Sequence, residues 1–244
     1  MKEKIVLAVG AHADDCEFSC GGTLARYASM GCKVFMSNLL IGDKAEPLGA
    51  KTAEQVIQTR KKEAQDSAAV IGAELIYGVL GIGDGEFNSI TKELNDKVVD
   101  LVRYTNPDII ITHAPKDYIH DHILTGQILF NATHFCAIPR YVTKNKAIQK
   151  SPPIYHMDAV AGVDFIPYEY VDITNTLEKK IEMLSMYKSQ LAFVEKDSGF
   201  HRTDLMDFVR TNAAYRGNQC GVKYAEGFVR LNAWLRNSTH RDLP

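Results

Sequence analysis

The sequence predicts a single α/β domain with a Rossmann-like, mostly parallel sheet flanked by helices. Short apolar runs alternate with longer amphipathic segments over the first 135 residues, which is the pattern of a doubly wound sheet. The 244-residue chain shows neither a linker-like change in composition nor an internal repeat. We therefore assign residues 1–244 to one domain.

Each predicted element follows from a local pattern. The apolar run at 5–11 is typical of a buried parallel strand, and the amphipathic segment 53–72 ends at a glycine, as helices often do. The predicted strands are 5–11, 33–40, 74–77, 108–112, 154–160 and 170–173. The predicted helices are 22–30, 53–72, 91–104, 176–187 and 203–215, with one more around His134. Polar or glycine-rich segments predict loops at 41–52, at 78–87, in the 140s and from the 190s to the early 200s.

Composition excludes several classes of protein. The chain is 45% hydrophobic and 24% charged, which suits a soluble globule, and its net charge of −2 favours no nucleic-acid partner. No apolar run reaches the roughly 18 residues of a membrane span. The N-terminus lacks a signal-peptide layout, so we expect a cytoplasmic protein. Five cysteines without CxxC spacing predict reduced thiols, and Cys16 is expected to be a buried structural one.

Four groups that can bind a metal or carry a proton follow the first predicted strand. His12, Asp14, Asp15 and Glu17 lie just past its carboxyl end, the edge where open parallel sheets bind ligands. Two adjacent carboxylates repel each other, and a nearby cation relieves that repulsion. The alternative is an acidic turn that precedes a helix and interacts with its dipole. This segment by itself leaves both interpretations open.

A second cluster of histidines and aspartates follows the predicted strand 108–112. Three histidines and two aspartates lie between His113 and His122. Because the carboxyl ends of parallel strands share one edge, this cluster can supply the third donor of a catalytic zinc site. Asp121 is expected either to bind the metal or to fix a histidine tautomer. His134 and His156 are expected to be structural.

Together these motifs resemble those of the LmbE-like, or PIG-L, superfamily of zinc-dependent N-deacetylases. Residues 11–17 (AHADDCE) with the glycine pair and threonine at 21–23 are similar to its first motif, and residues 119–122 (IHDH) to its second, HxDH. The similarity continues in order along nearly the whole chain. The further matching segments are 60–69, 84–85, 172–174, 189–190 and 221–228.

The resemblance implies a reaction and a metal centre. The reaction is removal of an acetyl group from an N-acetylated amino sugar or a related N-acyl small molecule. Zinc is bound by His12, Asp15 and His122, although such a donor set also accepts other divalent ions. Asp14 is the general base that activates water; the alternative is that it caps the following helix. A homo-oligomer, often a hexamer in this superfamily, is also implied.

Three further residues are candidate substrate contacts. Arg60 and Asp84 match positions that the resemblance implies to lie near the substrate. For Arg60, a salt bridge with Glu54 or Glu63 on the helix surface is equally supported by the sequence. Tyr118 is a loop aromatic that offers an apolar face to a sugar-like substrate, with packing as its alternative role.

Two positions depart from the superfamily pattern. Ala13 stands where proline is usual, and Ile119 stands where many members carry the histidine that stabilises the oxyanion. We expect His120 to take over that role, with His113 as the alternative. A metal-binding protein without catalysis is a rival interpretation. A nucleotide-binding protein is another, but the first loop lacks the GxGxxG fingerprint that it requires.

Overall fold

The computed structural model describes residues 3–44, 51–196, 204–234, 236–237 and 239–244. Its strands are β1 (Ile5–Gly10), β2 (Lys33–Asn38), β3 (Glu74–Tyr77), β4 (Ile109–His113), β5 (Ile154–Met157), β6 (Glu169–Asp172) and β7 (Ala225–Arg230). Its helices are α1 (Asp15–Ser29), α2 (Ala53–Val70), α3 (Lys92–Thr105), α4 (His120–Phe135), α5 (Leu177–Ser185), α6 (Lys188–Lys196) and α7 (Leu205–Cys220). Within these ranges, no helix is both long and apolar enough to cross a membrane.

All the described strands lie in one sheet, in the order β3-β2-β1-β4-β5-β7-β6. The first five strands in this order pair in parallel, whereas β7 is antiparallel to both β5 and β6. The chain leaves β1 for β2 on one side and later returns to β4 on the other side. The carboxyl ends of β1 and β4 therefore flank the switch point at which open α/β sheets bind ligands.

The central strands are buried on both faces because helices cover both. In β1, Val6 and Ala8 pack in one core with α1 and α5 side chains, while Leu7 and Val9 pack in a second core with α3 and α4. A strand with two buried faces must be apolar throughout. This explains why β1 and β4 are continuous apolar runs in the sequence.

A buried ion pair ties α1, α5 and β7 together. The Glu226 carboxylate accepts hydrogen bonds from the backbone N–H groups of Gly22 and Thr23 (3.0 and 2.8 Å) and from the Thr23 hydroxyl. Lys180 Nζ lies 2.6 Å from Glu226 Oε1, and the two side chains are 5% and 3% exposed. A Cβ at Gly22 would lie 2.8 Å from Ile173. The glycine pair and threonine at 21–23 thus serve packing inside α1, not a helix start that approaches a bound group.

Replacing Lys180 with methionine should lower the free energy of unfolding by roughly 3–5 kcal/mol, because Glu226 then keeps a buried charge without its cation. Urea denaturation measures the change. The matched control is Lys179→Met, one residue earlier on α5, where the lysine forms an exposed ion pair with Glu182 and should contribute little. Equal denaturation midpoints for the two variants would contradict the structural role of the pair.

The predicted fold class is confirmed, and several element boundaries differ. The first helix begins at Asp15, seven residues before the predicted Gly22, because the acidic motif itself forms the first turn. Residues 188–196 form α6 instead of a loop, since Ser189 donates two hydrogen bonds to Glu63 on α2. Strand β7 was not predicted, because its glycine and its buried Glu226 disguise the strand pattern. Parts of the predicted loops, 45–50 and 197–202, and the predicted helix start at 203 lie outside the described residues.

Candidate metal centre and active site

Two glycines let helices start close to the ends of the central strands. A Cβ at Gly10, the last residue of β1, would lie 2.7 Å from the Cβ of Asp15. A Cβ at Gly126 on α4 would lie 2.6 Å from the carbonyl oxygen of His113, the last residue of β4. These close approaches bring the first turns of α1 and α4 to the same edge of the sheet. The two motifs therefore meet there, as the sequence predicts.

His12, Asp15 and His122 converge on one point. Each offers one ligand atom, and these atoms all lie within 4.8 Å of one another. His122 Nε2 is 3.3 Å from Asp15 Oδ1, and His12 Nδ1 is 3.5 Å from Asp15 Oδ2. All three residues line a cavity of about 390 Å³. Two imidazoles and one carboxylate are a donor set that suits catalytic zinc and other divalent ions, so the residues fit the predicted metal.

A second carboxylate orients each of these two histidines. Asp121 Oδ2 lies 3.0 Å from His12 Nε2 and accepts the backbone N–H of Gly85. Asp117 Oδ2 lies 3.2 Å from His122 Nδ1, while its other oxygen accepts the N–H of Ile119. Such carboxylates fix the tautomer of a ligand histidine and make its other nitrogen a better donor. Of the two roles considered for Asp121, the geometry favours that of a histidine partner.

Replacing Asp117 with asparagine should weaken metal binding roughly 10- to 100-fold, because an amide oxygen is a poorer acceptor for the imidazole N–H. A competition titration of purified protein against a chromogenic chelator measures this affinity. Asp164→Asn is the matched control, since Asp164 forms an exposed ion pair with Lys116 in a nearby loop. An unchanged metal affinity in the Asp117→Asn variant would show that Asp117 does not orient His122 for metal binding.

His113 packs against His122 and lies close to Asp15. Its ring stacks on that of His122 with centroids 3.8 Å apart, and its Nε2 lies 3.0 Å from Asp15 Oδ2. His113, Asp117 and His122 also form a second possible metal-binding group. Among the described residues, however, the cavity is lined by His12, Asp15 and His122 and not by His113 or Asp117. An ion that contacts a substrate in this cavity would therefore be held by His12, Asp15 and His122.

The neighbouring carboxylates stabilise positive charge on both His12 and His122. Burial lowers the pKa of His12, but hydrogen bonds to Asp121 and Asp15 outweigh it and raise this pKa well above its usual value. For His122, the charge of Asp15 and the hydrogen bond to Asp117 overcome burial and raise the pKa to about 9. Burial opposes ionisation of Asp15, yet the neighbouring histidines hold its pKa well below its usual range. The negative charge of these carboxylates also favours a bound divalent cation.

Asp14 has the environment of a proton-transfer group. Its backbone has φ 109°, which is strained for a residue other than glycine, and such strain is concentrated at functional sites. It occupies the N-cap position of α1, yet its side chain makes no capping hydrogen bond within the described structure. Its carboxylate lines the cavity instead. Burial raises the pKa of Asp14 to about 7, although the charge of Arg60 acts in the opposite direction.

Arg60 lies inside the protein beneath Asp14. Its side chain is 2% exposed, and Nη2 is 3.7 Å from Asp14 Oδ2. It donates hydrogen bonds to the carbonyl of Ala13 and to Gln190 Oε1, and it packs against the Tyr187 ring. The alternative of a salt bridge on the helix surface is therefore wrong.

Glu17 is also buried. It accepts hydrogen bonds from Ser67 and Tyr187, and it is absent from the cavity lining described.

Of the other predicted site residues, Asp84, Tyr118 and His120, only Asp84 is in the cavity lining described. Asp84 lines the cavity, and one of its oxygens accepts the N–H of Gly42. Tyr118 is 55% exposed and donates its hydroxyl to the carbonyl of Val160; among the described residues the cavity lining contains Val160 and not Tyr118. His120 is exposed, and in the described part of the chain the cavity lining contains Ile119 and not His120. The structure thus does not bring the predicted oxyanion donor to the other groups.

Several cavity residues escaped prediction as site residues. Gln190 lies within the matching segment at 189–190, which was its only signal. Lys44 reaches the cavity from the loop after β2, and its ammonium pairs with Asp43 and Glu86. The others are apolar and had no chemical signature in the sequence: Phe18, Ile119, Val160, Leu205 and Phe208.

Known proteins are similar to this chain in sequence and in fold. A diacetylchitobiose deacetylase from Thermococcus kodakarensis is 27% identical over 233 residues, covering 92% of this chain and 82% of that protein. The structure of N,N'-diacetylchitobiose deacetylase from Pyrococcus horikoshii superposes with a TM-score of 0.81 at 24% identity, covering 94% of this chain and 84% of that one. GalB, the 4-carboxy-2-hydroxymuconate hydratase from Pseudomonas putida KT2440, gives a TM-score of 0.80 at 23% identity, covering 97% and 100%.

One family model covers the part of the chain that carries both motifs. The model for PIG-L, GlcNAc-PI de-N-acetylase, matches residues 7–133, more than half of the 244 residues. The matched residues include His12, Asp15 and His122, which can hold a metal, and also Asp14, Arg60 and Asp84. The chain therefore belongs to the PIG-L family.

Proposed function

We propose that this protein is a metal-dependent hydrolase that removes the acetyl group from an N-acetylated amino sugar or a related N-acyl small molecule. The observation that carries this proposal is the convergence of His12, Asp15 and His122 beside Asp14 in one cavity. Two relatives support the substrate class: a diacetylchitobiose deacetylase, and a probable N-acetyl-α-D-glucosaminyl L-malate deacetylase from Bacillus cereus that is 27% identical over 203 residues.

The site contains the groups that amide hydrolysis requires. A divalent cation held by His12, Asp15 and His122 supplies Lewis-acid polarisation and makes water more acidic. Asp14 takes a proton from the water whose oxygen attacks the amide carbon. It then gives that proton to the amine nitrogen as the C–N bond breaks, so the products are a carboxylic acid and an amine, which ionise to a carboxylate and an ammonium ion at neutral pH.

Arg60 and Asp84 support this chemistry from one side of the cavity. The positive charge of Arg60, 3.7 Å from Asp14, opposes the effect of burial and holds the base in place. Asp84 presents a carboxylate that accepts hydrogen bonds from sugar hydroxyls. Tyr118, which donates its hydroxyl to Val160 of the cavity lining, is assigned to contact the outer part of the substrate. Ile119 offers no hydrogen bond to the oxyanion, and exposed His120 is left out of the proposal.

A single set of measurements tests the function. Purified protein is analysed for bound metal and then assayed for amine release from N-acetylglucosamine, diacetylchitobiose and N-acetylglucosaminyl malate. Protein stripped with a chelator and protein reloaded with zinc are assayed in parallel. We expect amine release that disappears on stripping and returns on reloading.

Other outcomes distinguish the alternatives. A protein that binds no divalent metal would exclude the hydrolase. Bound metal without amine release from any N-acyl compound would favour a metal-binding protein that lacks deacetylase activity. This second outcome would mean that Ile119, which stands where the resemblance implies a histidine, leaves the oxyanion without the hydrogen bond that hydrolysis needs.

We also propose zinc as the native ion and a homo-oligomer, which the resemblance implies. A cytoplasmic location and one domain over residues 1–244 are proposed from the sequence pattern. Metal analysis of protein purified without added zinc, light scattering and cell fractionation test the first three. Cooperative unfolding in a single transition tests the fourth.

A further inference from the structure

The candidate active-site cavity has a polar side and an apolar side. The polar side consists of Lys44, Arg60, Asp84 and Gln190. Lys44 and Asp84 lie in the loops after β2 and β3, and Arg60 on α2 donates a hydrogen bond to Gln190 on α6. The apolar side consists of Phe18, Leu205 and Phe208, from α1 and α7. Ile119 and Val160, which follow β4 and β5, extend the apolar lining. The proposed metal ligands lie at the same cavity, so a bound amide can contact both sides at once.

The apolar side is built by packing between two helices. Phe18 lies one turn after Asp14, since its N–H donates to the Asp14 carbonyl at 2.8 Å. Its ring lies 5.7 Å from that of Phe208, at a tilt of 34°. Leu205 precedes Phe208 by three residues and so lies on the same face of α7. All three residues are half-buried, and all three line the cavity.

An acetyl group makes little use of such a surface. It offers a single methyl group to an apolar lining that five side chains form. Each additional methylene group removed from water strengthens binding about fourfold. Ile119 strengthens the argument, because it puts an aliphatic side chain beside His122 where the resemblance predicts an imidazole. An apolar lining on this scale matches an apolar substituent on the substrate.

We propose that the substrate carries an apolar group next to the hydrolysed amide, and that this group binds on Phe18, Leu205 and Phe208. The inference rests on the proposed function and narrows its substrate class to amino-sugar amides with an apolar substituent. That substituent has two possible sources: an acyl chain longer than acetyl, or an apolar aglycone. The polar side, with Asp84 and Gln190, binds the sugar hydroxyls.

Two substrate series separate the sources. The first contains N-acetyl-, N-butyryl- and N-hexanoylglucosamine. The second contains the methyl and hexyl glycosides of N-acetylglucosamine. Amine release by the zinc-loaded protein gives kcat/KM, and calorimetry gives Kd for the same compounds. We expect at least about a tenfold gain in kcat/KM, and a tighter Kd, along one of the two series.

Two variants test whether the gain in kcat/KM along a series depends on the apolar side of the cavity. Phe208→Ala should abolish most of the gain, measured as the ratio of kcat/KM for the longest substrate to kcat/KM for the shortest. Leu205→Gln is a second variant, in case the first does not fold, because it nearly preserves volume and changes a half-buried residue at the start of α7. Tyr215→Ala is the matched control, because Tyr215 is a 57% exposed aromatic on the same helix that is absent from the described cavity lining. The control should keep the full gain.

The outcomes distinguish this inference from the proposed function. Hydrolysis of N-acetylglucosamine with no gain along either series overturns the inference and leaves the function in place. If no compound releases amine, the function fails, and equal Kd values along both series then overturn the inference as well. A gain that survives both Phe208→Ala and Leu205→Gln also overturns it.

Discussion

Replacing Asp14 with asparagine should lower kcat by about two to four orders of magnitude, the usual contribution of a positioned general base. Asparagine keeps the shape of the side chain but cannot accept the proton from water. The metal ligands are unchanged, so the bound metal should remain near the wild-type amount. Steady-state kinetics and metal analysis of the same preparation measure the two quantities.

Stability separates a catalytic role of Asp14 from a structural one. Burial raises the pKa of Asp14 to about 7 from an ordinary value of 3.8, so ionisation is harder in the folded protein than in the unfolded chain. A group with a raised pKa favours the folded state at low pH and loses that contribution as pH rises through the folded pKa. A neutral asparagine avoids this loss. We therefore expect the Tm of the variant at pH 8 to equal or exceed that of the wild type.

The matched control for Asp14 is Asp66→Asn. Asp66 is an exposed residue of α2 that pairs with Lys62, and it should tolerate the same chemical change without loss of activity. Wild-type turnover by the Asp14 variant would refute the assigned base. A large fall in both Tm and metal content would instead mean that Asp14 holds the first turn of α1 together.

The central strands and both motifs were predictable because their chemistry is local. Strands β1 and β4 are buried on both faces, so each is a continuous apolar run, and each is followed directly by its polar motif. The start of α1 was not predictable in the same way. Its first turn is made of the motif residues themselves, and their polarity resembles that of a loop until the packing of Asp15 against Gly10 is known.

Other parts of the site depend on contacts between distant segments. The burial of Arg60 comes from Ala13 and Gln190, neither of which lies on its helix, so the sequence leaves a surface salt bridge equally acceptable. The apolar side of the cavity requires Phe18 and Phe208 to meet across α1 and α7. The role of Asp121 was left open because the sequence does not show which histidine nitrogen it faces.

Replacing His122 with alanine should remove the metal and, with it, all measurable hydrolysis. In the proposed site His122 is one of three protein donors, and the two that remain should hold a divalent ion poorly when a chelator competes for it. The change also leaves Asp15 and Asp117 without the imidazole that separates them, 3.3 and 3.2 Å from its two nitrogens. Metal analysis after dialysis and a single-turnover assay check the result.

A histidine on the same helix provides the control for this last change. His134 is exposed on α4 and packs edge-on against Phe135, far along the helix from the first turn, so His134→Ala should retain both metal and activity. A cysteine at position 122 restores a donor and should recover part of the bound zinc, because thiolate is a good zinc ligand. Full metal occupancy in His122→Ala would assign the ion to other residues. Loss of metal in that variant, with recovery in His122→Cys, would identify the imidazole of His122 as a ligand and not merely as a structural contact of Asp117.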